Sequence, residues 1–138
     1  MELDKIDAAI IEALEENSRT SYIEIGKKVD LSEAAVRRRI KKLVEDGIIR
    51  KFTIDVKEEA AHAFTLIAVN PSTPTYEVSK KIKKIKGVRL VYEITGQYDI
   101  IAFIGGPNIT EVNTYVEEIR KTTGVLKTNT VIILKEVV

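Results

Sequence analysis

Residues 31–43 read LSEAAVRRRIKKL. Arg37, Arg38, Arg39, Lys41 and Lys42 crowd this stretch, and Glu33 alone opposes them. The whole chain of 138 residues carries a net charge of only +1. A near-neutral protein therefore concentrates positive charge on one short segment. Val36, Ile40 and Leu43 recur at i, i+4 and i+7, which predicts an amphipathic helix with Ser32 as its N-cap. On that helix Arg38, Ala34 and Lys41 lie opposite the apolar stripe, with Arg37 and Lys42 flanking them. Arg39 falls near the core edge, where it snorkels or pairs with an acid. Gly47 is the expected C′ glycine.

The flanks give the segment its setting. LDKIDAAIIEALEEN predicts a first helix with Leu3, Ile6, Ile10, Ala13 and Leu14 at helical spacing and Asp4 and Asp7 near its positive end. TSYIEIGKKVD predicts a short second helix, capped at Thr20 or Ser21 with Glu24 reaching back. Ile23, Ile25 and Val29 are expected to face inward. After a tight turn at Asp30–Leu31 comes the basic helix, and IIRKFTIDV then alternates as a strand does. Two helices joined by a tight turn make a helix-turn-helix, and the trailing strand suggests a winged variant. The basic run falls where such a motif carries its reading head. Small Ala34 and Ala35 would let that helix settle into a major groove, and Arg grips guanine or phosphate. Ser32, with Ser21 and Tyr22 at the start of the preceding helix, are candidate phosphate contacts. Taken alone, a charge run is more often a solvated face. Position and sign asymmetry decide for double-stranded DNA: residues 1–26 carry net −5, residues 27–51 net +5, and the rest +1.

Beyond Glu58, Glu59, Ala60, Ala61 and His62, read as a connection, the period changes. AFTLIAV (63–69), VRLVYEITG (88–96), IIAFIGG (100–106) and VLKTNTVIILKEV (125–137) contain strands. TYEVSKKIKKIKG (75–87) and NITEVNTYVEEIRKTTG (108–124) are helices, with Val78, Ile82 and Ile85, and Ile109, Val112, Val116 and Ile119, inward. The order βαββαβ is the ferredoxin-like pattern. Its helices cover one sheet face and leave the other needing a partner. The expected fold is thus α+β: a winged helix-turn-helix domain over 1–51, a linker strand and connection over 52–62, and a ferredoxin-like domain over 63–138.

Composition bounds the function. The chain is 44% apolar and 31% charged, with no cysteine and a single histidine, His62. Disulfides and thiolate metal sites are excluded, and neither a metal nor another cofactor is expected. His62, at the domain junction, is expected simply to be solvated. No membrane span or secretory leader is legible, which points to the cytoplasm. A hydrolase on the ferredoxin-like scaffold would need a catalytic constellation that the sequence does not offer. An RNA-binding module would need exposed aromatics, for which Phe64, Tyr92 and Phe103 are candidates, but the usual RNA-recognition signature is missing. An effector-binding module without a DNA role is the remaining alternative. The lysines of KKIKKIKG read as a solvated face.

TGQYD (95–99) is the most informative stretch of the second half. Gly96 permits positive φ and close backbone approach, and Asp99 supplies a carboxylate. An amino acid needs an acceptor for its ammonium and N–H or hydroxyl donors for its carboxylate. Thr95, Gly96, Gln97, Tyr98 and Asp99 could provide them, although the same residues also make a sound hairpin turn.

As a set, LDKIDAAII, SYIEIGKKV, LSEAAVRRRIKKL and EDGII resemble the N-terminal half of Lrp/AsnC (feast/famine) transcription regulators. VYEITGQYDIIAF and GVLKTNTVIILKEV are similar to that family's ligand-binding (RAM) domain, so the resemblance spans essentially the whole chain. It implies a sequence-specific regulator of amino-acid metabolism genes and of its own gene, acting on a roughly palindromic operator. It implies homodimers packed through their open sheet faces, and further assembly into tetramers or octamers. The brief ends of this chain weigh against the octamer more than against the dimer. It also implies an amino-acid effector, with lysine or glutamine as the first choices from archaeal members. The effector site lies between dimers, lined by the glycine-containing turn and by the last strand, whose matching residues here are Thr128, Asn129 and Thr130.

Overall fold

Helix α1 (Lys5–Glu16) begins where the Asp4 side chain accepts from the Asp7 N–H at 2.7 Å, and ends at Asn17. Helix α2 (Tyr22–Val29) opens with a full capping box, in which Ser21 Oγ accepts from the Glu24 N–H and Glu24 reaches back to the Ser21 N–H. Helix α3 (Glu33–Glu45) is capped by Ser32 Oγ, which accepts from the Ala35 N–H at 3.2 Å. It closes as a Schellman motif: Gly47, at φ +73°, donates to Val44 O, and Ile48 donates to Leu43 O. The computed structural model describes residues 3–56 and 61–137. It divides into two compact units, Met1–Lys57 and Glu58–Val138.

Ile10, Leu14, Ile25, Val36, Ile40 and Leu43 form the core of the first unit. Two expected inward residues are not there. Ile23 is 55% exposed, because its position on α2 lies outside the arc shared by Ile25 and Val29, and Leu3 precedes α1 and is also exposed. The strand expected from residues 48–56 is not formed. The Ile48 and Ile49 N–H groups both bond to Leu43 O, and Phe52, Ile54 and Val56 are exposed. Among the described residues this unit holds no second strand to complete a ladder, and a strand without a partner has nowhere to place its hydrogen bonds.

Among its described residues the second unit runs β1 (Ala61–Val69), α4 (Thr75–Lys83), β2 (Val88–Glu93), β3 (Ile100–Gly106), α5 (Ile109–Lys121) and β4 (Val125–Ile133). The sheet is antiparallel throughout, in the order β2-β3-β1-β4. The βαββαβ order thus holds, with shorter α4 and β2 than expected. Strand β1 begins two residues early, since Ala61 pairs with Gly106 and His62 with Gly105. His62 is therefore a half-buried strand residue that has a partner, rather than a solvated one in a connection. Glu58, Glu59 and Ala60 lie outside the described residues.

Ala63, Ile67, Ile100, Ala102 and Ile104 face the helices and pack on Val78, Ile82, Val112, Val116 and Ile119. Tyr115 joins this core, whereas Ile109, expected inward, is 61% exposed at the first turn of α5. The opposite sheet face has no helix over it among the described residues. There Phe64 and Phe103 meet with ring centroids 5.9 Å apart, and Leu90, Tyr92, Val131 and Ile133 are exposed.

Candidate functional site

The turn between α2 and α3 fixes how the basic helix is presented. Asp30 takes the left-handed conformation at φ +56°, and the Leu31 N–H bonds back to Gly26 O at 2.9 Å. Gly26 is buried in the body of α2, and a Cβ there would lie 2.4 Å from Leu31 O. The sequence reading passed over it. The available signal was an isolated glycine inside a helical pattern, which costs helix stability unless close packing requires it.

The cations of α3 divide into three kinds. Arg39 is a clamp: its guanidinium donates to Asp4 at 2.6 Å and Asp7 at 2.9 Å, binding α3 to the start of α1. These hydrogen bonds hold the Asp4 carboxyl below its usual range, with the Arg39 bond the largest cause, and raise Arg39 in return. Arg37 bonds Glu33 at 2.7 Å and stacks over the Tyr22 ring at 5.2 Å, while Lys41 lies 3.8 Å from Glu45. Arg38 and Lys42 are exposed and have no acidic partner among the described residues. Together with Ala35 they border a hollow of about 600 Å³ beside Asp4 and Asp7. Ala34 and Lys41 stand on the exposed face, as read from the sequence. Ser21 and Ser32 already serve as caps, so the groups they leave toward solvent are the exposed hydroxyl oxygen and the first-turn N–H groups.

In the second unit the 95–99 turn crosses the end of β1. The Val69 N–H donates to Asp99 Oδ2 at 2.7 Å, the Asp99 N–H donates to Ile67 O, and the Ile94 N–H donates to Asp99 O. Asp99 is therefore first a brace of the sheet end, and its other oxygen has no hydrogen-bond partner among the described residues. Gly96 adopts φ +113°, and Thr95, Gly96 and Gln97 are exposed. Tyr98 is half-buried, with Lys127 Nζ 5.6 Å from its ring. That contact joins the turn to β4.

The expected Thr128–Asn129–Thr130 trio divides between the two sheet faces. Thr128 and Thr130 pair with Ile67 and Thr65 on the helix side, and Asn129 pairs with Leu66 on the open side. Thr128 and Thr130 instead line a groove of about 730 Å³ between α5 and β4, with Asn113, Glu117 and Arg120 opposite. Among the described residues no group of three or more His, Asp or Glu is placed to hold a metal, and no helix is long and apolar enough to cross a membrane.

A capped, cationic third helix set by a tight turn, followed by a separate ferredoxin-like unit, defines a DNA-binding regulator with a ligand-binding domain. Comparison with known proteins agrees. A winged helix-turn-helix DNA-binding family model matches residues 3–50, and the Lrp/AsnC ligand binding domain model matches residues 62–138. The chain is 47% identical to the HTH-type transcriptional regulator LysM of Sulfurisphaera tokodaii, covering 97% of this chain and 96% of that one. It is 39% identical to the HTH-type transcriptional regulator FL11 of Pyrococcus abyssi, over 96% and 90% of the two chains. Among solved structures, AsnC of E. coli superposes with a TM-score of 0.82 at 25% identity, covering 100% and 96%. The NMB0573/L-Met complex from Neisseria meningitidis superposes at 0.84 and 25%, covering 99% and 92%. The chain belongs to the Lrp/AsnC family of transcriptional regulators.

Proposed function

We propose that this regulator binds a roughly palindromic operator as a homodimer, or as a tetramer or octamer built from dimers, and that a free amino acid tunes the binding. The observation that carries the DNA half is α3, capped at Ser32, with Arg38 and Lys42 exposed and unpaired among the described residues. Ser21, Tyr22, Ser32, Ala34, Ala35, Arg37, Arg38, Lys41 and Lys42 form the contact surface. A two-fold dimer presents two such helices, hence the palindrome. The apolar open sheet face supports the dimer, since a patch of that kind marks an interaction surface. It fits a second copy of the sheet better than RNA: Phe64, Tyr92 and Phe103 do lie on it, but in company with Leu90, Val131 and Ile133. The amino-acid half is supported by the ligand-binding domain match and by the L-Met complex of the Neisseria relative. Lysine and glutamine are the first effectors to try, amino-acid metabolism genes and the protein's own gene the first targets, and the cytoplasm the expected compartment. This reading gives the chain no catalytic role.

Binding to DNA upstream of its own gene, at 50 and 200 mM salt and with each of the twenty amino acids, tests this. Salt-sensitive binding shifted by one amino acid is expected. Binding of single-stranded RNA without duplex DNA would replace the reading.

A further inference from the structure

Arg37 and Arg38 stand side by side on the exposed face of α3, yet their surroundings differ. Arg38 has no acidic partner among the described residues. The Arg37 guanidinium is held from two directions. Its Nη2 donates to Glu33 Oε1 at 2.7 Å, one turn earlier on the helix, and its carbon lies over the Tyr22 ring, 5.2 Å from the centroid. Tyr22 packs against the core of the first unit, so the ring is a fixed shelf. Glu33 stands in the first turn of α3, where the helix dipole favours a carboxylate. The Arg37 side chain still keeps 62% of its surface open. It is therefore oriented and accessible at once.

Orientation and neutralisation suit one kind of DNA contact and not the other. A phosphate is an anion whose oxygens accept from many directions, so an unrestrained cation such as Arg38 or Lys42 is enough to grip it. Beside Glu33 a phosphate meets a carboxylate of its own sign, and the guanidinium that would attract it is already paired. A base edge carries no net charge, so that carboxylate repels it far less. It is read by the direction of hydrogen bonds rather than by charge. Guanine presents O6 and N7 side by side in the major groove, two acceptors that a planar fork meets together. That gives Arg37 two bonds for the one it makes to Glu33. Ala34, next to Glu33 on the exposed face, adds no bulk to hold the helix off the groove.

We propose that Arg37 is the guanine-reading residue of α3, that Tyr22 and Glu33 position it, and that Arg38 and Lys42 grip phosphate. Each half of the operator then carries one guanine that Arg37 meets. The inference rests on the operator reading above and divides its contact surface into base and backbone contacts. Tyr22, expected as a phosphate contact, becomes a support for Arg37.

Selection of duplexes from a random library by the full chain, followed by titration of the selected site, tests it. The wild type should select guanine at one fixed position in each half-site. Arg37→Ala should lose about tenfold of the preference for guanine at that position alone, with the slope of log K against log salt unchanged. Replacing that guanine by 7-deazaguanine removes the N7 acceptor and keeps the base pair. It should weaken the wild type several-fold and Arg37→Ala not at all. Arg37→Lys keeps the charge and loses the planar fork, so it should lose the same preference, and it gives the readout if Arg37→Ala binds too weakly to select. Glu33→Gln should steepen the salt slope on random duplex by up to about 1, because the released Arg37 then takes a phosphate. If Arg37→Ala keeps its guanine preference and its slope falls by about 1, Arg37 is a phosphate contact and the assignment is overturned. A selected site with no fixed guanine also overturns it. An unchanged slope on random duplex in Glu33→Gln removes Glu33 from the role. If the wild type selects no duplex at all, the operator reading itself falls, an outcome recognised without any variant.

Discussion

Gly26 and Asp4 are two residues whose roles follow from a single atom's surroundings. At Gly26 a methyl group would press on the Leu31 carbonyl, a backbone atom that cannot step aside without opening the turn. Gly26→Ala should therefore destabilise the DNA-binding unit by about 1–3 kcal/mol, against the usual gain of alanine in a helix, and thermal unfolding would read it. Asp4 uses one oxygen to cap α1 and the other to hold Arg39. Because its folded pKa is depressed, its contribution is present in full at neutral pH. It is lost as pH falls through the ordinary aspartate range and below. Asp4→Asn, which keeps a capping oxygen, should be less stable than the wild type at pH 7, and the difference should close in acid below about pH 4. An unchanged gap at low pH would show that the ion pair contributes nothing. Such roles were unequally legible beforehand. Ser21 and Ser32 were readable as caps because a cap and its target lie three residues apart. Asp99 was not readable as a brace, since its partner Val69 is 30 residues away in the chain. The period of two in β4 sends Asn129 to the opposite face from Thr128 and Thr130.

At the scale of the element, α3 combines three kinds of cation, and they should separate in experiment. Arg38→Ala with Lys42→Ala removes charges that have no internal partner among the described residues. The pair should weaken operator binding, lower the slope of log K against log salt by up to about 2, and leave the melting temperature unchanged. Arg39→Ala should weaken operator binding with little change in that slope, because its work is internal, and should lower the melting temperature. A slope change of about 1 in Arg39→Ala would make it a phosphate contact instead. Ser32→Ala should cost the helix about 1 kcal/mol. The elements were largely legible from periodicity and capping. The failures fell where the pattern had no structural partner: residues 48–56 alternate like a strand but find no ladder among the described residues, and Ile109 is apolar but sits on the first turn of α5, over the groove.

At the scale of the whole molecule, the proposed dimer would close over the sheet face that no helix covers among the described residues. Tyr92 and Val131 lie on it at 53% and 41% exposure. Placing a charge there, as in Val131→Asp, should convert dimer to monomer in sedimentation velocity and reduce operator affinity at least tenfold, since two half-sites then bind independently. Persistence of the dimer would move the interface elsewhere. The need for a cover was legible from the βαββαβ order. The division of labour among the cations was not, because it depends on distances between segments far apart in the chain.

The Glu33–Arg37 pair bears on how quickly an operator is found. A protein that searches a genome spends most of its time on wrong sequences, and every firm phosphate grip there delays it. If Arg37 contacts DNA as proposed, Glu33, bonded to it at 2.7 Å, competes for it. The exposed pair is worth up to about 1 kcal/mol, or roughly fivefold in residence. On that reading Arg37 would stay with Glu33 on random duplex, letting the helix slide, and would pass to the DNA at a fitted site. Glu33→Gln should lengthen dwell times on non-operator DNA in single-molecule tracking more than it tightens the operator complex, trading search speed for grip.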